Sequence, residues 1–313
     1  MFDGISRSDP PASGSPSDGS PAGALTPEMQ AFPLDGAGIH LRMDHREGRT
    51  RLTRLLQKAP MRALLPQVSA QEPPTACLTN TAGGLVGGDR FSITVEAGEN
   101  AALLAMAQAA EKVYRSAGPD VRLDIALRAE AGAWLEWLPQ ETILFDRSRL
   151  RRSTLVEIDP SARLLAGEIT VFGREAHGET LSDILLRDRW RVCVGGRAVW
   201  GDALAVDGPE VVPVLAASAG FGGATASGLI LVHVPEDQRD GLLEALLDLD
   251  GEDAQCGLGP ALRLGASQIG PLLILRFLAR DPAQLRVAFA RRWAMLRQRL
   301  AGYAPRLPRL WYV

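Results

Sequence analysis

The chain has 313 residues, 46% hydrophobic and 23% charged, with a formal net charge of −3 from 34 basic and 37 acidic side chains. This near-average globular composition excludes disorder throughout, offers no bulk basic field for nucleic acid, and holds no apolar run of the roughly 18 residues that a membrane-spanning helix needs. Three widely spaced cysteines, Cys77, Cys193 and Cys256, together with the lack of a secretory signal pattern, point to a reducing cytoplasm rather than a disulfide framework.

Residues 1–35 open the chain with a Gly/Pro/Ser-rich stretch poor in large apolar side chains. Such a stretch cannot bury enough surface to offset its ordering entropy, so a disordered tail is expected there. Residues 36–313 are expected to form a single β-rich domain. Frequent glycine and proline separate short apolar runs, the pattern of many short strands. Residues 121–129 alternate strictly, with Val121, Leu123, Ile125 and Leu127 on one side and Arg122, Asp124 and Arg128 on the other. Residues 41–43, 91–95, 154–158, 164–172, 184–194 and 229–234 are further strands. Gly195-Gly196 between two runs predicts a hairpin turn.

Helices are expected to be few. Leucines at 242, 243, 246, 247 and 249 predict one over 238–249. Asp281-Pro282 supplies an N-cap and a first-turn proline for a second, and Gly302 a stop. Leu285, Phe289, Trp293 and Leu296 mark its buried face. The other face, with Arg286, Arg291, Arg292, Arg297 and Arg299, is read as solvated. No repeat of 20–50 residues is evident. The residues alone predict a mainly antiparallel β fold, layered or wound, with a C-terminal helix near 282–301.

Four segments could carry chemistry. The first, Asn80-Thr-Ala-Gly83-Gly84-Leu-Val-Gly87-Gly88-Asp89, lacks the lysine and hydroxyl of a phosphate loop and places an acid where phosphate would sit. Structural turns fit it better. Gln108-Ala-Ala-Glu111-Lys-Val-Tyr114-Arg115-Ser116 holds a serine with no neighbouring histidine, so triad logic has nothing to act on. Leu135-Glu136-Trp-Leu-Pro139-Gln140-Glu141-Thr-Ile-Leu-Phe-Asp146 offers Glu136 and Glu141 as a conceivable acid/base pair. The fourth is Gly173-Arg174-Glu175-Ala-His177-Gly-Glu179. Among His40, His45, His177, His233 and the cysteines, no metal-ligand spacing recurs, so no tight metal site is expected.

In this order and spacing, the four segments, with Pro308-Arg-Leu-Trp311 at the end, resemble the urease accessory protein UreD (UreH) family. The resemblance runs from about Gly36 to Glu179. It implies a β-rich, layered or β-helical fold with few helices. It also implies a non-enzymatic, cytoplasmic role: binding apo-urease and, with UreF and UreG, supporting GTP-dependent insertion of nickel. Within the family an internal channel is thought to conduct the ion. It further implies no tightly bound cofactor, nickel in transit, and neither nucleic acid nor membrane as partner.

A conduit needs weak sequential ligands rather than one tight site. The candidates for such contacts are Asp89, Glu111, Glu136, Glu141, Asp146, Glu175 and Glu179, each of which could equally be a turn cap or an ion-pair partner. Two other readings stay open: a hydrolase or lyase using Glu136 and Glu141, and a β-helical carbohydrate binder.

Overall fold

The computed structural model of the chain describes residues 36–246 and 262–312. The expected tail, Cys256 and the last three residues of the helix expected over 238–249 lie outside the described residues. Of that helix, residues 242–246 are helical, after a 3-10 turn at Glu236–Gln238.

Period-two alternation gives strands at every position expected. In chain order they are β1 (Ala37–Arg46), β2 (Arg49–Lys58), β3 (Met61–Leu64), β4 (Thr75–Asn80), β5 (Arg90–Ala97) and β6 (Ala102–Ala107). There follow β7 (Glu111–Val113), β8 (Val121–Ala129), β9 (Trp134–Leu138), β10 (Thr142–Leu144), β11 (Arg149–Ile158) and β12 (Arg163–Phe172). The last are β13 (Ile184–Val194), β14 (Arg197–Gly208), β15 (Ala226–His233), β16 (Leu262–Ile269) and β17 (Leu272–Ala279). The Gly195-Gly196 turn joins β13 to β14, with φ of 56° and 75°, the left-handed region in which glycine is favoured.

Two sheets form. One has seven strands in the order β14-β13-β11-β8-β5-β1-β2. The other has ten, with the path β16-β17-β15-β12-β9-β6-β4-β3 and two short strands, β7 and β10, beside it. From β4 to β13 the chain passes back and forth between the sheets, one coil stacking on the last. The mainly antiparallel expectation is therefore corrected: among the described residues nine of the fifteen strand pairings are parallel, because strands one coil apart run the same way. The antiparallel pairings lie toward the two ends of the stack.

A repeat exists after all. Ile93, Ile125, Thr154 and Trp190 align across four adjacent strands, so each of these coils is roughly 30 residues, a solenoid period, while the step from Ile39 to Ile93 is longer because it also takes in β2, β3 and β4. It was invisible in the sequence because each coil places different side chains on the shared frame.

One core lies between the sheets, around Ile39, Leu41, Val95, Leu127, Val156 and Val192. A second lies between the ten-stranded sheet and the C-terminal helix. That helix spans Pro282–Ala301, as its caps predict: the Asp281 side chain accepts from Ala283 N at 2.9 Å, and Gly302 ends it at φ 71°. Its arginine face is not simply solvated. Arg292 and Arg297 are 0% exposed, because the helix is enclosed on its far side by the terminal segment carrying Leu307 and Trp311. Arg286 is partly buried and pairs with Glu141 at 2.8 Å.

Candidate functional site

The four sequence segments are equivalent turns of successive coils and stack along one corner of the solenoid. Leu85 of the first bridges Val113 in β7 of the second. Strand β7 pairs in parallel with β10 of the third, and β10 pairs with β12, which leads into the fourth. Corner contacts require the glycines. A Cβ on Gly84 would stand 2.4 Å from Tyr114 Cε2, and one on Gly87 2.1 Å from Ser116 Oγ. Gly83 and Gly88 hold φ of 79° and 95°.

Side chains continue the stack outward. The Tyr114 hydroxyl donates to Gly83 O at 3.1 Å, and its ring meets Phe145 edge-on at 5.1 Å. The Arg174 guanidinium lies 3.8 Å over Phe145 and pairs with Glu179 at 2.9 Å. Ser116 Oγ donates to Pro119 O at 2.6 Å, while Arg115 bridges Ser148 on the neighbouring turn. An open surface groove of 730 Å³ runs past Lys112, Tyr114, Phe145, Arg174, Glu175 and His177.

Behind the corner, between the sheets, is a partly open cavity of 170 Å³. Asn80, Gly83, Glu111 and Gln140 line its corner end; Phe91, Ile93, Leu123, Ile125 and Trp137 form apolar walls; Arg152 and Glu168 close its far end. Glu168 also lines a second cavity of 310 Å³, with Thr170, Asp188, Trp190 and Asp202. One carboxylate thus borders both.

Glu168 belongs to a buried polar node. The strand register turns Arg152 and Asp188 into the interior, in line with Leu123 and Phe91. Arg152 pairs with Asp188, donates to Thr142 Oγ1 at 3.1 Å, and lies 2.9 Å from Glu168. Burial pushes the Glu168 carboxyl up to about 8. Arg152 opposes this, but Asp188 shares that guanidinium and adds a like charge. At the other end, burial raises Glu111 to about 7, helped by nearby Asp89 and opposed by the Asn80 amide, which donates to Glu111 at 3.1 Å.

The seven carboxylates proposed from sequence are not brought together. Glu111 lines the interior cavity and Glu175 the surface groove. Asp89 accepts from Val86 N at 2.8 Å, closing its own turn. Asp146 Oδ1 accepts from Ser182 N at 2.7 Å and from Asp183 N at 3.2 Å. Glu179 is held by Arg174.

Glu136 is fully buried and takes donors from Trp134, Trp293 and Arg297, whereas Glu141 is taken by Arg286. Each member of the supposed acid/base pair therefore has its own arginine, and both point to the C-terminal helix. Gln140 donates to Trp311 O at 2.8 Å, which ties the third segment to the terminal Pro308-Arg-Leu-Trp311. The Thr79 hydroxyl donates to Gln108 Oε1 at 3.4 Å, and Pro139 lines the interior cavity. Among the described residues no three His, Cys, Asp or Glu side chains gather closely enough to hold a metal ion.

Comparison with known proteins decides the family. The UreD urease accessory protein model matches residues 35–312, well past Glu179, where the sequence resemblance faded. The chain belongs to the UreD urease accessory protein family. It is 45% identical over 291 residues to the urease accessory protein UreD of Magnetococcus marinus, covering 92% of this chain and 98% of that one. It is 39% identical over 284 residues to the UreD protein of Rhodopseudomonas palustris strain BisB5, covering 90% and 94%. Membership in the UreD family supports a role in urease maturation. No helix among the described residues is long and apolar enough to cross a membrane.

Sequence reasoning missed Glu168, Arg152 and Asp188. A signal was present: Glu168 interrupts the otherwise apolar run of β12, and a charge there is either paired or functional.

Proposed function

We propose that this chain is a non-catalytic maturation factor that binds apo-urease. With UreF and UreG it supports GTP-dependent insertion of nickel, and it passes the ion through its interior between the two sheets. The observation that carries the conduit is that Glu168 borders both cavities, with Asn80 and Glu111 at one end and Asp188 and Asp202 at the other, where the second cavity opens toward the surface.

Oxygen donors spaced along a passage, none forming a closed cage, suit a hard-to-borderline divalent ion that must leave again. Carboxyls that titrate near neutrality suit this further. Burial raises both the Glu111 and the Glu168 carboxyl, which lowers the cost of keeping them among apolar walls until a divalent cation arrives. Nickel is cargo here, not a resident cofactor. The cytoplasm, where the metal would be handed over, is the expected compartment.

The test is to delete the gene in a urease-positive host and measure the activity and nickel content of purified urease. Apo, inactive urease at normal abundance, restored by the wild-type gene, is the expected result. Fully nickel-loaded urease would overturn the reading and reopen a hydrolytic role.

A further inference from the structure

Among the described residues, one end of the solenoid is unsealed. Of the ten large hydrophobic side chains that stand exposed among the described residues, five (Leu52, Leu56, Leu64, Leu65 and Val68) fall within 17 positions of chain. They lie on and after β2 and β3, the last strands of the two sheets at that end. Solenoids normally close such an end with a polar cap. Here Leu52 is 38% exposed although it pairs with Met43 on the core-facing side, and Leu55 beside it is only partly buried.

The other side of β2 is cationic. Register with β1 places Arg51, Arg54, Leu56 and Lys58 on the face away from the core. Arg49 and Arg62 flank this row in sequence. Arg51 meets the exposed Glu47 at 3.2 Å, while Arg49, Arg54 and Lys58 have no carboxylate partner among the described residues. Strand β2 is ten residues long, and its outer edge pairs with no further described strand. A free edge of that length, with Leu52 and Leu55 on one face and a row of cations on the other, is a template for an added strand.

We infer that β2 receives an extended segment of a partner protein in which acidic and apolar residues alternate. Such a strand would continue the seven-stranded sheet. Its apolar residues would cover Leu52 and Leu55, and its carboxylates would face Arg51, Arg54 and Lys58. A second copy of this chain is the wrong occupant: pairing β2 with itself would set its cations on the same face as their own copies, and like charges across a strand pair are destabilising. Cationic edges also deter unwanted pairing. Deterrence alone does not explain why leucines stand exposed on both faces of the same strand.

The test uses a ten-residue peptide of alternating glutamate and valine, the length of β2, with two controls: the lysine–valine analogue and a shuffled glutamate/valine sequence. Binding to the full chain is followed by fluorescence anisotropy at low and high salt. The alternating acidic peptide should bind, weaken as salt rises, and outcompete both controls. Arg51→Glu/Arg54→Glu should lose at least about tenfold in affinity, equivalent to ~1.4 kcal/mol, and should gain the lysine–valine peptide. Leu52→Asn should weaken binding without changing the salt dependence. Thermal melts of each variant confirm that folding is retained. Equal binding of the shuffled peptide, indifference to charge reversal, or no binding at all would overturn the inference. So would a concentration-dependent dimer, seen by sedimentation, that Leu52→Asn dissolves.

Discussion

Glu136 and Arg297, neither exposed to solvent at all, meet at 3.2 Å between β9 and the C-terminal helix. Trp134 and Trp293 donate their ring N–H groups to the same carboxylate at 3.1 and 2.9 Å, and Arg297 also reaches Glu72 at 2.8 Å. A charge this deep is tolerated because every strong group has a partner. The pair docks the helix on the sheet.

Breaking that pair from one side leaves the other charge stranded. Arg297→Leu and Glu136→Leu should each destabilise the fold by about 3–5 kcal/mol, read from urea unfolding midpoints. The double variant should cost clearly less than the two added together. Additive losses would show that the two residues are not energetically coupled.

The glycine-rich corner yields a ranking. Gly84→Ala and Gly87→Ala push a Cβ into Tyr114 and Ser116 of the next coil, so each should cost about 1–3 kcal/mol as an overpacking change. At Gly83 no atom lies within 4 Å of the added Cβ, and only its φ of 79° opposes alanine, so Gly83→Ala should cost less, ~1 kcal/mol. Thermal melting of the three variants checks the order. Equal losses would mean that backbone conformation, not coil-to-coil contact, selects these glycines.

Glu111 makes a pH prediction with a definite sign. Its folded pKa is raised from 4.5 to about 7, so the folded state holds the proton more tightly than the unfolded chain does. The group therefore favours folding below about pH 4.5, and that contribution is lost as pH rises toward 7. Glu111→Gln, which is neutral throughout, should gain on wild type across that window and hold a constant advantage above it. At ~1.4 kcal/mol per pKa unit the plateau is on the order of 3 kcal/mol. A pH-independent difference between the two proteins would refute the perturbed titration.

If the interior carries nickel, Glu168→Gln should lower the nickel content of urease matured in cells several-fold while leaving recovery of the accessory assembly unchanged. Asp146→Asn is the contrast. That carboxylate ties down Ser182 and Asp183, so its variant should loosen a turn and leave nickel delivery at wild-type levels in whatever protein folds. Loss of the assembly with Glu168→Gln would make the residue structural and separate that role from conduction.

Local physics was legible in the residues. Strict alternation over 121–129 became β8 with the same bounds, and Asp281, Pro282 and Gly302 delimited the C-terminal helix, because alternation, capping and positive φ are decided by neighbours along the chain. The four segments resembling the UreD family were likewise complete in the sequence. What the sequence could not place was every relationship made by winding. The parallel pairings, the coil repeat and the stacking of the four segments on one corner depend on contacts between residues about 30 positions apart, whose side chains share no pattern. The burial of Arg292 and Arg297 follows from a terminal segment folding over the helix, and Arg152, Glu168 and Asp188 meet only because three strands from different coils turn them into one interior. Sequence determines which face of a strand or helix can be buried; only the tertiary structure decides what it is buried against, and that partner sets whether a charge is solvated, paired or left facing a cavity.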